Sequence, residues 1–178
     1  YLNGLEEQFI DWLENSNTFC NSLVDRIVPG KPDNIQKANI ENEIGYTDDL
    51  LLMTEVYRLW AIEGNDEVAE VLSFAKADKG VVIAEDINLF RELKLRLLNG
   101  THTMSCGVAF LSGIQTVKEA MDDEQMHQFI SSLMQNEIAN AIPYKATAAQ
   151  TAEFSANCLD RFRNPFIEHQ WLAITAQY

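Results

Sequence analysis

Apolar positions in this chain fall mostly at helical spacing. Leu5, Phe9, Trp12 and Leu13 recur on one side of a short amphipathic helix predicted over residues 5–15. Asn, Ser and Thr crowd residues 16–24 and favour a loop, which leads into Leu23-Val24-Asp25-Arg26-Ile27. Pro29-Gly30-Lys31-Pro32 is a turn cluster that stops regular structure. Asp33 is placed to cap a helix that runs to Ile44 and stops at Gly45.

Two segments break the helical period. Glu55-Val56-Tyr57-Arg58-Leu59-Trp60-Ala61-Ile62 is rich in aromatic and β-branched residues, and Val81-Val82-Ile83-Ala84 lies between Gly80 and Glu85. Both are expected to be strands, pairing antiparallel across an intervening helix over 66–76. From Asn88 the pattern is helical again. Phe90 to Leu98 forms one helix that can run on through Gly100 into the small-residue stretch Ser105, Gly107, Ala109 and Gly113. Behind a cap at Asp122 or Asp123, Met126, Phe129, Ile130, Leu133, Met134, Ile138 and Ile142 form a core-facing stripe that Pro143 ends. Thr147 and Gln150 make a capping box for a helix reaching Phe162. Asn164 as cap, with Pro165 at the first helical position, is expected to open the last helix. The expected fold is mainly α and multi-helical, with a small antiparallel β-sheet.

Composition narrows the class. At 178 residues and 47% apolar content the chain can bury a real core and is not a disordered segment. No run approaches the roughly 20 apolar residues of a membrane helix, and no secretory signal is visible. The chain opens at Tyr1 rather than Met and a helical pattern still runs at Tyr178, so it is expected to be a piece of something longer. The net charge of −14, from 27 acidic and 13 basic residues, argues against nucleic acid or an anionic membrane as partner. Cys20, Cys106 and Cys158 are scattered, form no CxxC pair, and suit a reducing cytoplasm as small hydrophobes.

The informative stretch is Glu92-Leu93-Lys94-Leu95-Arg96-Leu97-Leu98-Asn99-Gly100-Thr101-His102-Thr103. On an α-helix at about 100° per residue, with Lys94 as reference, Asn99 falls near ~140° and His102 near ~80°. An amine, an amide and an imidazole thus share one side, beside a glycine that leaves room for approach. The same residues also read more plainly: a solvated surface lysine, a helix C-cap at Asn99-Gly100, and a satisfied core histidine.

The pattern Lys-x-x-x-x-Asn-x-x-His resembles the active-site signature of the mannitol dehydrogenase family, the polyol-specific long-chain dehydrogenases and reductases. Asn21-Ser22-Leu23-Val24-Asp25-Arg26-Ile27 is similar to that family's Asn-Ser-Met-Val-Asp-Arg-Ile segment. Glu55-x-Tyr57-x-x-Trp60 resembles its Glu-Pro-Phe-x-x-Trp strand, with Val56 in place of proline. Arg161-Phe162-Arg163-Asn164-Pro165 resembles its Arg-Phe-x-Asn-Pro. Asn99-Gly100-Thr101-His102-Thr103, the run from Gly113 to Met121, and Arg161 to Gln170 look most like the tagaturonate reductases (altronate oxidoreductases) of the family.

The resemblance implies that residues 1–178 are the C-terminal substrate-binding and catalytic domain, with the N-terminal Rossmann domain absent and acting as its partner. It implies an NAD-dependent reduction of tagaturonate to altronate without a metal. Lys94 would be the general acid–base, tuned toward neutral pH by desolvation or nearby positive charge. Asn99 would donate to the developing alkoxide, and His102 would orient the substrate or the lysine. Asp25 would belong to the same pocket; it also reads as a loop cap or a partner of Arg26. The substrate carboxylate calls for an arginine. Of Arg58, Arg96, Arg161 and Arg163, the resemblance favours Arg161 and Arg163, with His169 nearby. Fructuronate reductase and mannitol 2-dehydrogenase are the rivals within the family, and an acidic helical interaction domain is the rival outside it. The eight glycines contain no GxGxxG, so this chain alone is not expected to bind NAD tightly or to turn over.

Overall fold

The computed structural model describes residues 6–176. Leu5 of the expected first helix, and the helical pattern running out at Tyr178, lie outside those residues. In chain order the elements are α1 (Glu7–Ser16), β1 (Ser22–Asp25), α2 (Asn34–Ile44), β2 (Leu59–Glu63), α3 (Asp66–Val71), a 3-10 turn (Ser73–Ala77), β3 (Val81–Ala84) and α4 (Asn88–Leu93). A π-helical stretch (Lys94–Gly100) leads into α5 (Thr101–Leu111), α6 (Val117–Asp122) and α7 (Glu124–Ser132). A second π-helical stretch (Leu133–Ile138), a 3-10 turn (Ala139–Ala141), α8 (Ala148–Phe162) and α9 (Trp171–Thr175) complete it. No described helix is long and apolar enough to cross a membrane.

The chain divides into two compact units. The first holds the residues up to Val24 together with Leu59–Ile87. Its sheet has the order β1-β2-β3. Leu59, Ala61 and Ile62 of the central strand are buried, and Trp60 on the other face stacks on Phe74 with ring centroids 5.7 Å apart. The pair β2–β3 is parallel, with Trp60 opposite Val81 and Glu63 opposite Ala84, and this corrects the antiparallel expectation. The reason lies in the connection: α3 and the 3-10 turn carry the chain back to the starting edge, and a helical crossover joins parallel strands. Helix α1 is amphipathic but buries no residue, leaving Phe9 and Trp12 exposed.

The second unit holds Asp25–Arg58 and the chain from Asn88 onward. Its core gathers Leu93, Leu97 and Leu98, then Met121, Ile130 and Met134, then Cys158, Phe162, Trp171 and Ile174. The caps read from sequence form. Asp33 accepts from Ile35 N and Gln36 N, both at 2.8 Å, and Gly45 closes α2 in the left-handed region at φ 81°. Asp123 caps α7, and Thr147 with Gln150 completes a capping box on α8.

Three element boundaries move for tertiary reasons. The expected strand over 55–62 begins only at Leu59, because Glu55 and Tyr57 are drawn into side-chain contacts with α8. The last helix begins at Trp171 rather than at Pro165. Asn164 Oδ1 accepts from Phe166 N at 3.0 Å, which makes a turn. Beyond it, His169 O accepts from Val117 N at 3.0 Å, and Gln115 O from Trp171 N at 3.0 Å. Residues 169–171 therefore pair with 115–117 before a helix can start. Leu23-Val24-Asp25, given no element from sequence, falls in β1.

Candidate active site

The helix that carries the Lys-x-x-x-x-Asn-x-x-His pattern is not a plain α-helix. Leu93 and Thr101 keep right-handed helical dihedrals at the two ends of the π stretch, so α4, residues 94–100 and α5 run as one helix. In that stretch the ladder closes on the fifth residue instead of the fourth. Lys94 and Asn99 are five apart, so the wider turn brings them closer to one line than the ~140° of an α-helix. Both are half-buried, while Leu97 and Leu98 of the same stretch are anchored in the core. Thr103 Oγ1 donates to Asn99 O at 2.9 Å, one turn back along the helix. The second π stretch lies against the first: a Cβ built on Gly100 would stand 3.9 Å from Ile138 Cδ1.

His102 follows on α5 and is 3% exposed. Its ring stacks on Phe162 at 4.5 Å and meets His169 edge-on at 5.1 Å and Trp171 edge-on at 5.9 Å. Burial, then the neighbouring His169 and Arg161, push its pKa down to about 3. The imidazole is neutral across the physiological range. Its Nε2 is buried without a hydrogen-bond partner. A neutral ring can offer one donor and one acceptor, which suits orienting a hydroxyl and not carrying charge. His169 is half-buried, and burial lowers its pKa as well.

Asp25 and Arg161, both named from sequence, meet, but they meet each other. Arg161 Nη1 and Nη2 donate to the two oxygens of Asp25, each at 2.9 Å. On its other edge, Nε and Nη2 donate to Glu55, at 3.0 Å to Oε2 and 2.7 Å to Oε1. Tyr57 lies under the guanidinium, its ring centroid 4.1 Å away. All three charged groups are buried. A guanidinium has five N–H donors, and four of them are engaged here. The sequence reading gave Asp25 the roles of substrate ligand, loop cap or partner of Arg26; its partner here is Arg161. Glu55 and Tyr57 escaped the site prediction. The available signal was a carboxylate inside an otherwise apolar run, a group that needs a partner when buried.

The other cations are placed differently. Arg163 keeps 41% of its side chain exposed and bonds Asp160 at 3.1 Å. Its Nη2 lies 2.8 Å from His127 Nε2, and an arginine can only donate, so His127 Nε2 is the acceptor. Arg96 pairs with Glu92 on the exposed side of its helix. Arg58 Nη1 lies 3.5 Å from Val56 O. Among the described residues no three His, Cys, Asp or Glu side chains are grouped to hold a metal ion.

Residues 86–177 match the family model of the mannitol dehydrogenase C-terminal domain, and residues 2–76 match that of the mannitol dehydrogenase Rossmann domain. The two models thus divide, between residues 76 and 86, a stretch that the sequence reading assigned whole to the C-terminal domain. The altronate oxidoreductase of Bacillus subtilis is 42% identical over 166 residues, covering 93% of this chain and 33% of its own length. That of Yersinia enterocolitica is 41% identical over 170 residues, covering 96% and 35%. The chain therefore spans about a third of the length of the curated relatives it matches. Among solved structures, D-sorbitol dehydrogenase in substrate-free form superposes with a TM-score of 0.72 at 24% identity, over 94% of this chain and 34% of that one. Pseudomonas fluorescens mannitol 2-dehydrogenase, in ternary complex with NAD and D-mannitol, superposes at 0.68 with 23% identity, over 94% and 33%. The fold is shared with those two enzymes, and by sequence the chain belongs to the mannitol dehydrogenase family.

Proposed function

We propose that this chain is the substrate side of an NAD-dependent oxidoreductase that reduces tagaturonate to altronate in a reducing cytoplasm. The observation that carries it is Lys94 and Asn99 on a π-helical turn, followed closely by a neutral, buried His102. The relatives named altronate oxidoreductase supply the substrate class. Reducing a ketone requires a proton at the oxygen as negative charge develops there. Lys94 Nζ holds that proton and delivers it, Asn99 Nδ2 donates to the same oxygen, and His102 orients a neighbouring hydroxyl.

The hydride would come from a nicotinamide, and these residues do not cradle the dinucleotide. The parallel unit β2–α3–β3 is the wrong receiver for a pyrophosphate. Asp66 and Glu67 fill the first turn of α3, and the Asn65 side chain already accepts from Val68 N at 3.1 Å. A Cβ on Gly64 would stand 2.7 Å from Val68 Cγ1, so a side chain already occupies the space beside the turn. With no glycine-rich turn among its residues, this chain alone should oxidise no NADH above background.

For the substrate carboxylate, Arg161 has its donors committed, so Arg163 and His169 are the better receivers, with the exposed face of Arg163 the reason to rank it first. Asp25 contributes through Arg161. The deciding experiment is initial-rate NADH oxidation by the complete protein with tagaturonate, fructuronate and fructose side by side. A kcat/KM preference for tagaturonate supports the reading. Preference for another of the three moves the substrate assignment, and silence on all three from folded protein ends it in favour of an interaction domain.

A further inference from the structure

The clasp on Arg161 is larger than a structural ion pair requires. Two buried carboxylates, 2% exposed each, face one guanidinium, so the cluster carries a net charge of −1. Glu55 has the more constrained place. Its Oε1 accepts from Ile27 N at 2.6 Å as well as from Arg161, and its backbone carbonyl accepts from Arg26 Nε at 3.0 Å. Its own backbone N–H donates to Ile27 O at 3.1 Å. The carboxylate is thereby fixed before it meets Arg161. Phe162, the next residue after Arg161 on α8, stacks on the His102 ring at 4.5 Å.

We propose that Glu55 is a positioning residue of the active site. It fixes the Arg161 guanidinium, and with it the end of α8 whose next residue, Phe162, stacks on His102, and so holds the His102 ring where it orients substrate, without touching substrate itself. A guanidinium already facing two carboxylates attracts a third anion poorly, so Glu55 also keeps Arg161 from acting as the receiver of the substrate carboxylate. The kinetic part of this inference rests on the reading of Lys94, Asn99 and His102 as catalytic; the geometric part does not.

Two measurements on the complete protein test it, using Glu55→Ala and Glu55→Gln. In Glu55→Gln an amide oxygen can still accept from Arg161 and from Ile27 N. Expected for Glu55→Ala is a loss of about ten- to a hundredfold in kcat on whichever ketose the wild type reduces, with little change in KM, and substantial recovery in Glu55→Gln. Independently of activity, the His102 imidazole signal in a histidine-labelled NMR spectrum should move in Glu55→Ala and move less in Glu55→Gln. An unmoved His102 signal and unchanged kcat in folded protein would overturn the proposal and leave the clasp purely structural. A rise in KM confined to the acidic substrate would overturn it in the other direction, placing Arg161 on the carboxylate. If Glu55→Ala does not fold, Glu55→Gln alone decides by the same signs. If the wild type reduces none of the ketoses, the functional reading fails while the His102 signal still tests the clasp.

Discussion

Arg161 and Asp25, 136 residues apart in the chain, meet through two parallel hydrogen bonds of 2.9 Å. Planar bidentate pairing of this kind is specific to guanidinium and carboxylate, and a lysine could not reproduce it. With Glu55 on the adjoining edge, the pair ties the Asp25–Arg58 segment to α8 inside the second unit.

Removing the guanidinium leaves two buried carboxylates without a counter-charge. Arg161→Leu is therefore expected to destabilise the fold by about 3–5 kcal/mol, the cost typical of breaking a buried pair from one side. Urea unfolding monitored by circular dichroism measures it. A loss below about 1 kcal/mol, the level of an exposed pair, would mean that the clasp is not closed in solution.

His102 gives the fold a pH dependence. Its pKa falls from the ordinary 6.5 to about 3 on folding, so between those values the unfolded chain binds a proton that the folded chain does not. Stability therefore rises with pH across that window and is lost as the solution is acidified from about 6.5 toward 3. The slope contributed is about 1.4 kcal/mol per pH unit. His102→Phe keeps an aromatic ring between Phe162 and Trp171 but cannot titrate. Unfolding free energies at pH 5 and pH 6.5 should differ less in the variant than in the wild type; parallel curves would count against the neutral buried ring.

Lys94 and Asn99 act on one oxygen in the proposed reaction. In the complete protein, Lys94→Ala should lower kcat about 10²- to 10⁴-fold, and Asn99→Ala about 10²- to 10³-fold, with small changes in KM. Steady-state kinetics at saturating NADH separate the two terms. An effect mainly on KM would demote either residue to a binding role.

The partly exposed guanidinium of Arg163 makes a different signature. Arg163→Ala is expected to raise KM for tagaturonate about tenfold while leaving fructose nearly unchanged, because only the uronate presents a carboxylate. Equal effects on both substrates would remove Arg163 from the carboxylate site and leave His169 as the next candidate.

Much of the local structure was readable from residue pattern, because it depends on groups a few positions apart. Asp33 and Gly45 bound α2, Thr147 and Gln150 open α8, and Val81–Ala84 is the third strand, all as the spacing implied. The resemblance to the family was legible for the same reason, since each of the four blocks that carry it, the Lys94–His102 block among them, is a short run of consecutive residues.

What the sequence by itself could not determine depends on which distant groups come together. The parallel pairing of β2 and β3 follows from where the crossover returns the chain, which strand propensity does not encode. The π-helical turn at Lys94 preserves a helical pattern while changing which residues align, so an α-helical wheel misplaces Asn99. Pro165 opens no helix, because residues 169–171 pair with 115–117 instead. Arg161 was a reasonable anion receiver as an isolated arginine. Only folding delivers Asp25 and Glu55 to its two edges, because a buried guanidinium must be neutralised by whatever carboxylates the tertiary structure brings within reach.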